Sequence, residues 1–378
     1  MKRIFHQNLE ATMSLCRRIL SLLVSLRRFI LPITFLIVEF NLTGLAEADP
    51  NNDQVSILVG GDITVGSRLT PILRRQGLDV LFKLIKGEVQ GADIALATLN
   101  TSISENGEPQ YQSLSKVKGK QSFRAIPGLS TSIAQAGWDL ISLSTPNLHD
   151  FGPVAVEDTI QHLTRMGVKT IGVGLSDYAA QQPARFNLQK NGQVVQVAFV
   201  TYYHAGAFSQ DGQIKVARAL YTHMIKRTEE MANQADLLVV MMHWGKESKS
   251  EIVSQRQQFF AQSLISAGAD LVLSQRLHTL QGIQIFEGKP IIYSLADLIY
   301  ETYDKQHSQI VIPKVVFQKR QFKHIELVPV WVGNPKVKYQ PQISEGQQAT
   351  STLQKYQKLC EGLNTDVQIE SGRGWIHQ

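Results

Sequence analysis

Cysteine is almost absent from this sequence, which has only Cys16 and Cys360 among its 378 residues. Cys16 lies in an amino-terminal segment that the sequence marks for removal, so the mature chain would keep one thiol and could form no internal disulfide. This excludes the small disulfide-stabilised folds of secreted proteins, and stability must come from a hydrophobic core. Cys360 has no neighbouring histidine or aspartate that would mark a nucleophile, and we expect it at a packed helix position.

A large excess of charge is also lacking. The formal net charge is only +6, and residues 1–48 contribute half of it, because six lysines and arginines there face three glutamates. The rest of the chain gives no basis for nucleic-acid binding. A hydrophobic content of 43% with 19% charged residues is that of an ordinary globular protein rather than a disordered one.

No hydrophobic run is long enough for a comfortable membrane span. The apolar stretch Phe29–Val38 follows a basic region, is interrupted by Glu39, and precedes a small-x-small motif that ends at Ala48. This order predicts a signal peptide over residues 1–48, cleaved after Ala48, and therefore a secreted or periplasmic protein. The alternative is an uncleaved anchor, which would associate the protein with the membrane and keep it facing outside.

Short apolar runs alternate with amphipathic segments from Val55 onward. The predicted strands are 55–59, 93–99, 139–144, 170–174, 195–203, 237–243, 270–274 and 291–295. The predicted helices between them are 71–89, 129–136, 156–166, 218–235 and 251–267. This succession predicts an α/β fold with a mainly parallel sheet. After about residue 305 the pattern changes to one typical of antiparallel strands, followed by a helix over 345–362.

Polar or ionisable residues follow the ends of several predicted strands. They are Asp62 after Gly60 and Gly61, then Asn100, Asn147, His149, His243 and His278. Open α/β sheets bind ligands and metals at the carboxyl ends of their strands, where such side chains meet. The recurrence of these residues therefore predicts a functional site at that edge.

Several longer segments resemble one known family. They are VGGDITVGS, KQSFRAIPGLSTSIAQAGWDLISLS, HDFGP, IGVGLSDYAAQQPARF, HWGKE, AGADLVLSQRLHTLQ, GKPIIYSLADL and HIELVPVWV. In order and spacing they are similar to the bacterial CapA family of capsule and poly-gamma-glutamate synthesis proteins, with a calcineurin-like metallophosphoesterase fold. The resemblance implies a sandwich of two mixed β-sheets flanked by helices. It also implies a metal centre, because related hydrolases use two divalent ions to activate water.

The chain departs from the family pattern at several of the metal-site positions. Ser102 replaces the glutamate of the family's Asn-Leu-Glu, and an ungapped alignment loses the asparagine and histidine of Asn-Asn-His. A shift of one residue would let Asn147 and His149 stand in for them. Of the family's Gly-His-His-Pro-His only the last histidine remains, as His278, and Arg276 occupies a former histidine position. Because arginine opposes a bound cation, we expect at most one ion.

The surviving positions define the predicted site. One Mn²⁺, Zn²⁺ or Mg²⁺ would be held by Asp62, His243 and His278. Substrate would be contacted by Asn100, Lys246, Glu247 and Arg276. The catalytic candidates are Asn147 and His149, with His149 as the only nearby acid–base group. These substitutions favour a degenerate, metal-free relic of the site over this one-ion centre, and a two-metal centre is the remaining alternative.

The resemblance implies a CapA-like envelope protein that takes part in synthesis or export of a capsule or poly-gamma-glutamate-type polymer. Its partners would be the acidic polymer or the membrane proteins of capsule synthesis. The alternatives are an active hydrolase or transferase on a phosphate ester or amide, and a non-catalytic scaffold that binds an acidic polymer. The predicted domain covers residues 49–367, and 368–378 would form a carboxyl-terminal tail.

Overall fold

The computed structural model describes residues 53–110, 122–204, 214–244, 250–275, 277–300, 308–333 and 339–378. The strands in these ranges are β1 Gln54–Thr64, β2 Ile94–Leu99, β3 Ser102–Ile103, β4 Arg124–Ala125, β5 Leu140–Ser142, β6 Lys169–Ile171, β7 Val173–Gly174, β8 Ala184–Lys190, β9 Gln193–His204, β10 Lys215–Val216, β11 Leu237–Trp244, β12 Leu271–Gln275, β13 Leu280–Phe286, β14 Lys289–Leu295, β15 Asp297–Tyr300, β16 Gln309–Gln318, β17 Gln321–Trp331, β18 Gln342–Ile343, β19 Gln368–Glu370 and β20 Arg373–His377.

The helices in the same ranges are α1 Thr70–Gln76, α2 Lys86–Gln90, α3 Gly128–Ala136, α4 Pro153–Arg165, α5 Asp177–Ala180, α6 Tyr221–Ala232, α7 Gln255–Ser266 and α8 Gly346–Glu361. A short 3-10 turn covers Asn147–His149. Among these described helices none is both long and apolar enough to cross a membrane. The segment 1–48 lies outside the described residues, so the signal peptide or anchor stays a prediction.

Two mixed sheets form the framework. The first runs β19-β20-β17-β16-β1-β2-β5-β6, with β15 also paired to β1 and β18 to β17. Its β1, β2, β5 and β6 are parallel, whereas β16, β17, β19 and β20 are antiparallel additions. The second sheet runs β13-β14-β12-β11-β9-β8, with four parallel strands between two antiparallel edges. The expected α/β fold with two mixed sheets is confirmed.

The hydrophobic core lies between the two sheets. One cluster joins Ile57 and Leu96 of the first sheet to Val239 and Ile292 of the second. The opposite face of the second sheet packs against α6 and α7 through a separate cluster that includes Val240. Because β11 is buried on both faces, its sequence is a continuous apolar run rather than an alternating one. This is why its end, at His243, could be located from the sequence.

Several boundaries differ from the sequence predictions. The stretch 71–89 forms two short helices, α1 and α2, because the chain leaves the helix at Gly77, whose φ is +95°. Residues 368–378 form β19 and β20 rather than a free tail, and β20 pairs with β17. The first strand extends through Gly60 and Gly61, so that Asp62 lies within β1.

Candidate functional site

Asp62 and Asp297 are neighbours across a pair of parallel strands. They are register partners between β1 and β15, and the Asp62 N–H donates to the Ala296 carbonyl at 3.1 Å. The two strands come this close because Gly61 has no side chain, since a Cβ there would lie 2.5 Å from the Ala296 oxygen. Ala296 itself has a φ of +59°, which directs the chain from β14 into β15. The site therefore has two carboxylates at one strand edge.

His243 lies beside the first carboxylate, at the end of β11. Its Nε2 is 3.9 Å from Oδ2 of Asp62, and both side chains are almost fully buried. The imidazole stacks on the Tyr203 ring, with 5.3 Å between centroids and 17° between planes. Tyr203 is the register partner of His243 on β9, so neighbouring parallel strands position both rings. The Asp62–His243 pair is therefore covered on one side by the face of the Tyr203 ring.

His278 is hydrogen-bonded to the second carboxylate. Its Nδ1–H donates to Oδ2 of Asp297 at 2.7 Å, and the Tyr300 ring lies 4.9 Å away between centroids. The Asp297 side chain is 9% exposed, whereas that of His278 is 36% exposed. With the proton held on Nδ1 by the carboxylate, Nε2 is left as the acceptor of the neutral ring. This pair therefore holds the His278 imidazole in one tautomer and one orientation.

Gln275 connects the two sheets at this edge. Its side-chain amide donates to the Gly60 carbonyl at 2.7 Å, which joins the end of β12 to β1. The residue is 4% exposed. Gln275 therefore makes a structural contact that fixes β1 against the second sheet.

The structure also brings together Asn100 and Asn147. The Asn147 N–H donates to Oδ1 of Asn100 at 3.3 Å, and the Asn100 N–H donates to the Ile63 carbonyl, one residue beyond Asp62. Burial lowers the pKa of His149 to about 4, so that its imidazole is neutral at physiological pH. In that form His149 could accept a proton but could not donate one as an imidazolium.

The described donors of this site do not converge on one metal ion. Among the described residues no group of three or more histidine, cysteine, aspartate or glutamate side chains is placed to hold one ion. The donors form two carboxylate–histidine pairs, Asp62 with His243 and Asp297 with His278, and as placed they do not fit a single ion. The predicted ligand set Asp62, His243 and His278 stays a prediction.

Three of the predicted substrate contacts, Lys246, Glu247 and Arg276, lie outside the described residues. Conversely, the sequence analysis missed Asp297 as a site residue. The signal for it was present, because Asp297 follows the apolar run IIYSL of β14 in the same way that Asp62 follows the apolar part of β1.

The sequence comparisons identify the family. Residues 56–302 match the sequence model described as bacterial capsule synthesis protein PGA_cap, which is well over half of the chain. The protein belongs to this family. The match to the PGA_cap family begins in β1 and ends just after β15, and it therefore contains all of the described site residues from Asp62 to Tyr300.

The curated relatives are distant. The chain is 24% identical over 255 residues to the capsule biosynthesis protein CapA of Bacillus anthracis, covering 66% of this chain and 61% of that protein. It is 21% identical to the PGA biosynthesis protein CapA of Bacillus subtilis, covering 72% of this chain and 71% of that protein. A probable polyglutamine synthesis accessory protein of Mycobacterium tuberculosis is 22% identical, and the match covers 66% of this chain and 75% of that protein. The match thus spans less than two thirds of the first of these relatives.

Solved structures with a similar fold include phosphoesterases. A 5'-nucleotidase from Candida albicans gives a TM-score of 0.40 at 12% identity and covers 69% of this chain and 46% of its own. A purple acid phosphatase from yellow lupin gives a TM-score of 0.34 at 8% identity and covers 76% of this chain and 53% of its own.

Proposed function

We propose that this protein takes part in synthesis or export of a capsule or poly-gamma-glutamate-type polymer, and that the strand-end site contacts the polymer. The supporting observation is that the family match over 56–302 contains every described residue of the site. The curated relatives are named for capsule and PGA biosynthesis. The protein would act in the cell envelope, secreted or tethered by residues 1–48, with the acidic polymer or membrane proteins of capsule synthesis as its partners.

The charges of the site constrain how it could hold an acidic polymer. Asp62 and Asp297 would repel a polyanion wherever their histidine partners are neutral. Protonation of His243 or His278 would remove part of that repulsion, and so would a cation bound beside either carboxylate. Salt screens the same repulsion, so we expect polymer binding by the full chain to strengthen with added salt.

The test is genetic complementation in a producing strain that lacks this gene. We expect His243→Ala and His278→Ala to lower surface-associated acidic polymer at least tenfold, because each removes one histidine of a pair. His223→Ala is the matched control, since His223 is an exposed histidine on α6. Protein levels are compared by immunoblot. Normal polymer in both site variants, at normal protein levels, would refute a role for this site.

The Asp297–His278 hydrogen bond favours a second candidate, a hydrolase or transferase that works without a metal. Nε2 of His278 would take a proton from water or an amine as that nucleophile attacks an amide carbonyl or a phosphate ester. It would then return the proton to the amine or alcohol that leaves as the amide C–N or ester P–O bond breaks. Asp297 would hold the Nδ1 proton and stabilise the imidazolium that forms. Both roles use the 2.7 Å contact that the structure shows.

This candidate predicts that Asp297→Asn lowers turnover by about 10²- to 10⁴-fold, because the amide loses the charge that stabilises the imidazolium. The assay follows chain-length loss of poly-gamma-glutamate and release of p-nitrophenol from its phosphate ester. Asp236→Asn is the matched control, since Asp236 precedes β11, at the strand end opposite His243, and accepts the Gln196 N–H. Equal turnover in Asp297→Asn and wild type would exclude the dyad.

A further inference from the structure

Two histidines face each other across a pair of strands far from the strand-end site. His324 of β17 and His377 of β20 are register partners, and their ring centroids are 6.2 Å apart. In the adjacent strands, His324 is the register partner of Val316 on β16, and Val316 is the register partner of Ser56 on β1. Ser56 is six residues before Asp62 in β1, which corresponds to about 20 Å along the strand.

The strand register makes this pair close and outward-facing. The neighbouring pair Ile325 and Ile376 is buried in the core between the sheets, so alternation puts both histidines on the other face. The Gln378 N–H donates to the Lys323 carbonyl at 3.1 Å. This makes the next pair, His324 and His377, a non-hydrogen-bonded one, in which opposite side chains approach most closely.

The ring geometry suits a shared cation. Imidazole nitrogens bind Zn²⁺ at about 2.0–2.1 Å, so two rings on one tetrahedral ion have centroids about 5 Å apart. The observed 6.2 Å is within about 1 Å of that, and rotation of the exposed His377 side chain could close the difference. Water would supply the remaining ligands.

The protonation state also suits metal binding. The pKa of His324 is lowered, chiefly by burial and further by His377 and Lys314, against an opposing effect of Glu326. A neutral imidazole is the form that binds metal. The Glu326 carboxylate forms an ion pair with Lys314 and lies 3.7 Å from Arg373. The protein ligands of a bound ion would therefore be His324 and His377 alone.

We propose that His324 and His377 form a second site, which takes a late first-row divalent cation such as Zn²⁺, Ni²⁺ or Cu²⁺. Imidazole nitrogens prefer these ions to Mg²⁺ or Ca²⁺. A bound ion would link β20 to β17 and so stabilise the folded state by mass action.

Trp375 provides a local signal for this site. Its ring centroid is 5.6 Å from that of His324, and the ring stacks on His377 at 6.3 Å with 10° between planes. Bound Cu²⁺ should therefore quench Trp375 fluorescence. We expect titration of the full chain with Cu²⁺ to give saturable quenching that EDTA reverses, and Zn²⁺ to compete with it.

Variants separate this site from the strand-end site. His324→Ala and His377→Ala should each weaken the quenching affinity at least tenfold, while His223→Ala should leave it unchanged. Trp375→Phe should remove the quenching but keep the heat of Cu²⁺ binding. The His243→Ala background should retain the quenching, because His243 belongs to the other site. Thermal melts confirm that each variant is folded.

Two results would overturn the proposal. One is an unchanged quenching affinity in folded His324→Ala and His377→Ala. The other is full quenching in Trp375→Phe, which would place the ion near another tryptophan. A Zn²⁺-dependent rise in melting temperature that is lost in His377→Ala would support the link between β20 and β17.

Discussion

At the scale of single residues, the Asp297 carboxylate shows how one side chain determines the chemistry of a strand end. An asparagine in this position would offer an amide, whereas the aspartate accepts the Nδ1 proton of His278 at 2.7 Å. The change fixes the histidine tautomer and leaves Nε2 directed away from the carboxylate. A histidine–carboxylate pair therefore lies at this strand end.

His149 makes stability depend on pH. Burial lowers the pKa of His149 to about 4, from the usual 6.5. As pH falls below 6.5, His149 binds a proton in the unfolded chain, whereas in the folded chain it stays neutral until about pH 4. Stability is therefore lost across that window. We expect His149 to contribute a loss of about 1–2 kcal/mol between pH 7 and pH 5.

The measurement is urea unfolding at pH 7 and pH 5. His149→Gln should reduce the difference between the two pH values, whereas His223→Gln, at an exposed position, should not. An identical pH dependence in wild type and His149→Gln would show that His149 is not kept neutral by the fold.

At the scale of elements, the parallel pairing of β15 with β1 depends on Gly61. A Cβ at Gly61 would lie 2.5 Å from the Ala296 oxygen and 2.9 Å from the Leu298 nitrogen, both of which are backbone atoms. Because neither atom can rotate away, Gly61→Ala should destabilise the fold by about 1–3 kcal/mol. It should also separate Asp62 from Asp297 and so lower activity or polymer production.

Gly87→Ala is the control for this prediction. Gly87 lies in α2, and a Cβ there would meet no described atom within 4 Å outside its own helix, so alanine should be neutral or stabilising by up to about 1 kcal/mol. Denaturant midpoints of the two variants provide the comparison. Equal midpoints would mean that the close approach of β15 does not constrain Gly61.

At the scale of the whole molecule, Cys360 reports on global stability. It is fully buried on α8, accepts the Ile283 N–H of β13 at 3.3 Å, and burial raises its pKa to about 12. Because the thiolate is the reactive form, the folded protein should be protected from alkylation. In a Cys16→Ser background we expect labelling by iodoacetamide to be at least about 10³-fold slower in buffer than in denaturant.

The labelling rate should fall further in any variant that stabilises the fold and rise in Gly61→Ala. Rapid labelling in buffer, at a rate close to that of the unfolded chain, would show that α8 opens locally. The labelling rate would then measure the local stability of α8 rather than the global stability of the molecule.

The sequence by itself determined the order of most strands and helices, the change to antiparallel pairing after residue 305, and the strand-end positions of Asp62, Asn100, His243 and His278. These features depend on local periodicity, which a sequence displays directly. Cys360 on a packed helix was predictable for the same reason. The family match agrees with this part of the prediction because the recognisable motifs are the strand ends themselves.

Only the tertiary structure decided which side chains meet. Gln275 and the Gly60 carbonyl are 215 residues apart in sequence, and Asp62 meets Asp297 through a parallel strand pairing that no local pattern encodes. The pairing of β20 with β17 was also decided by contacts between distant segments. Such contacts depend on how whole sheets pack, so the chemistry of the site, two carboxylate–histidine pairs, emerged only when the chain was folded.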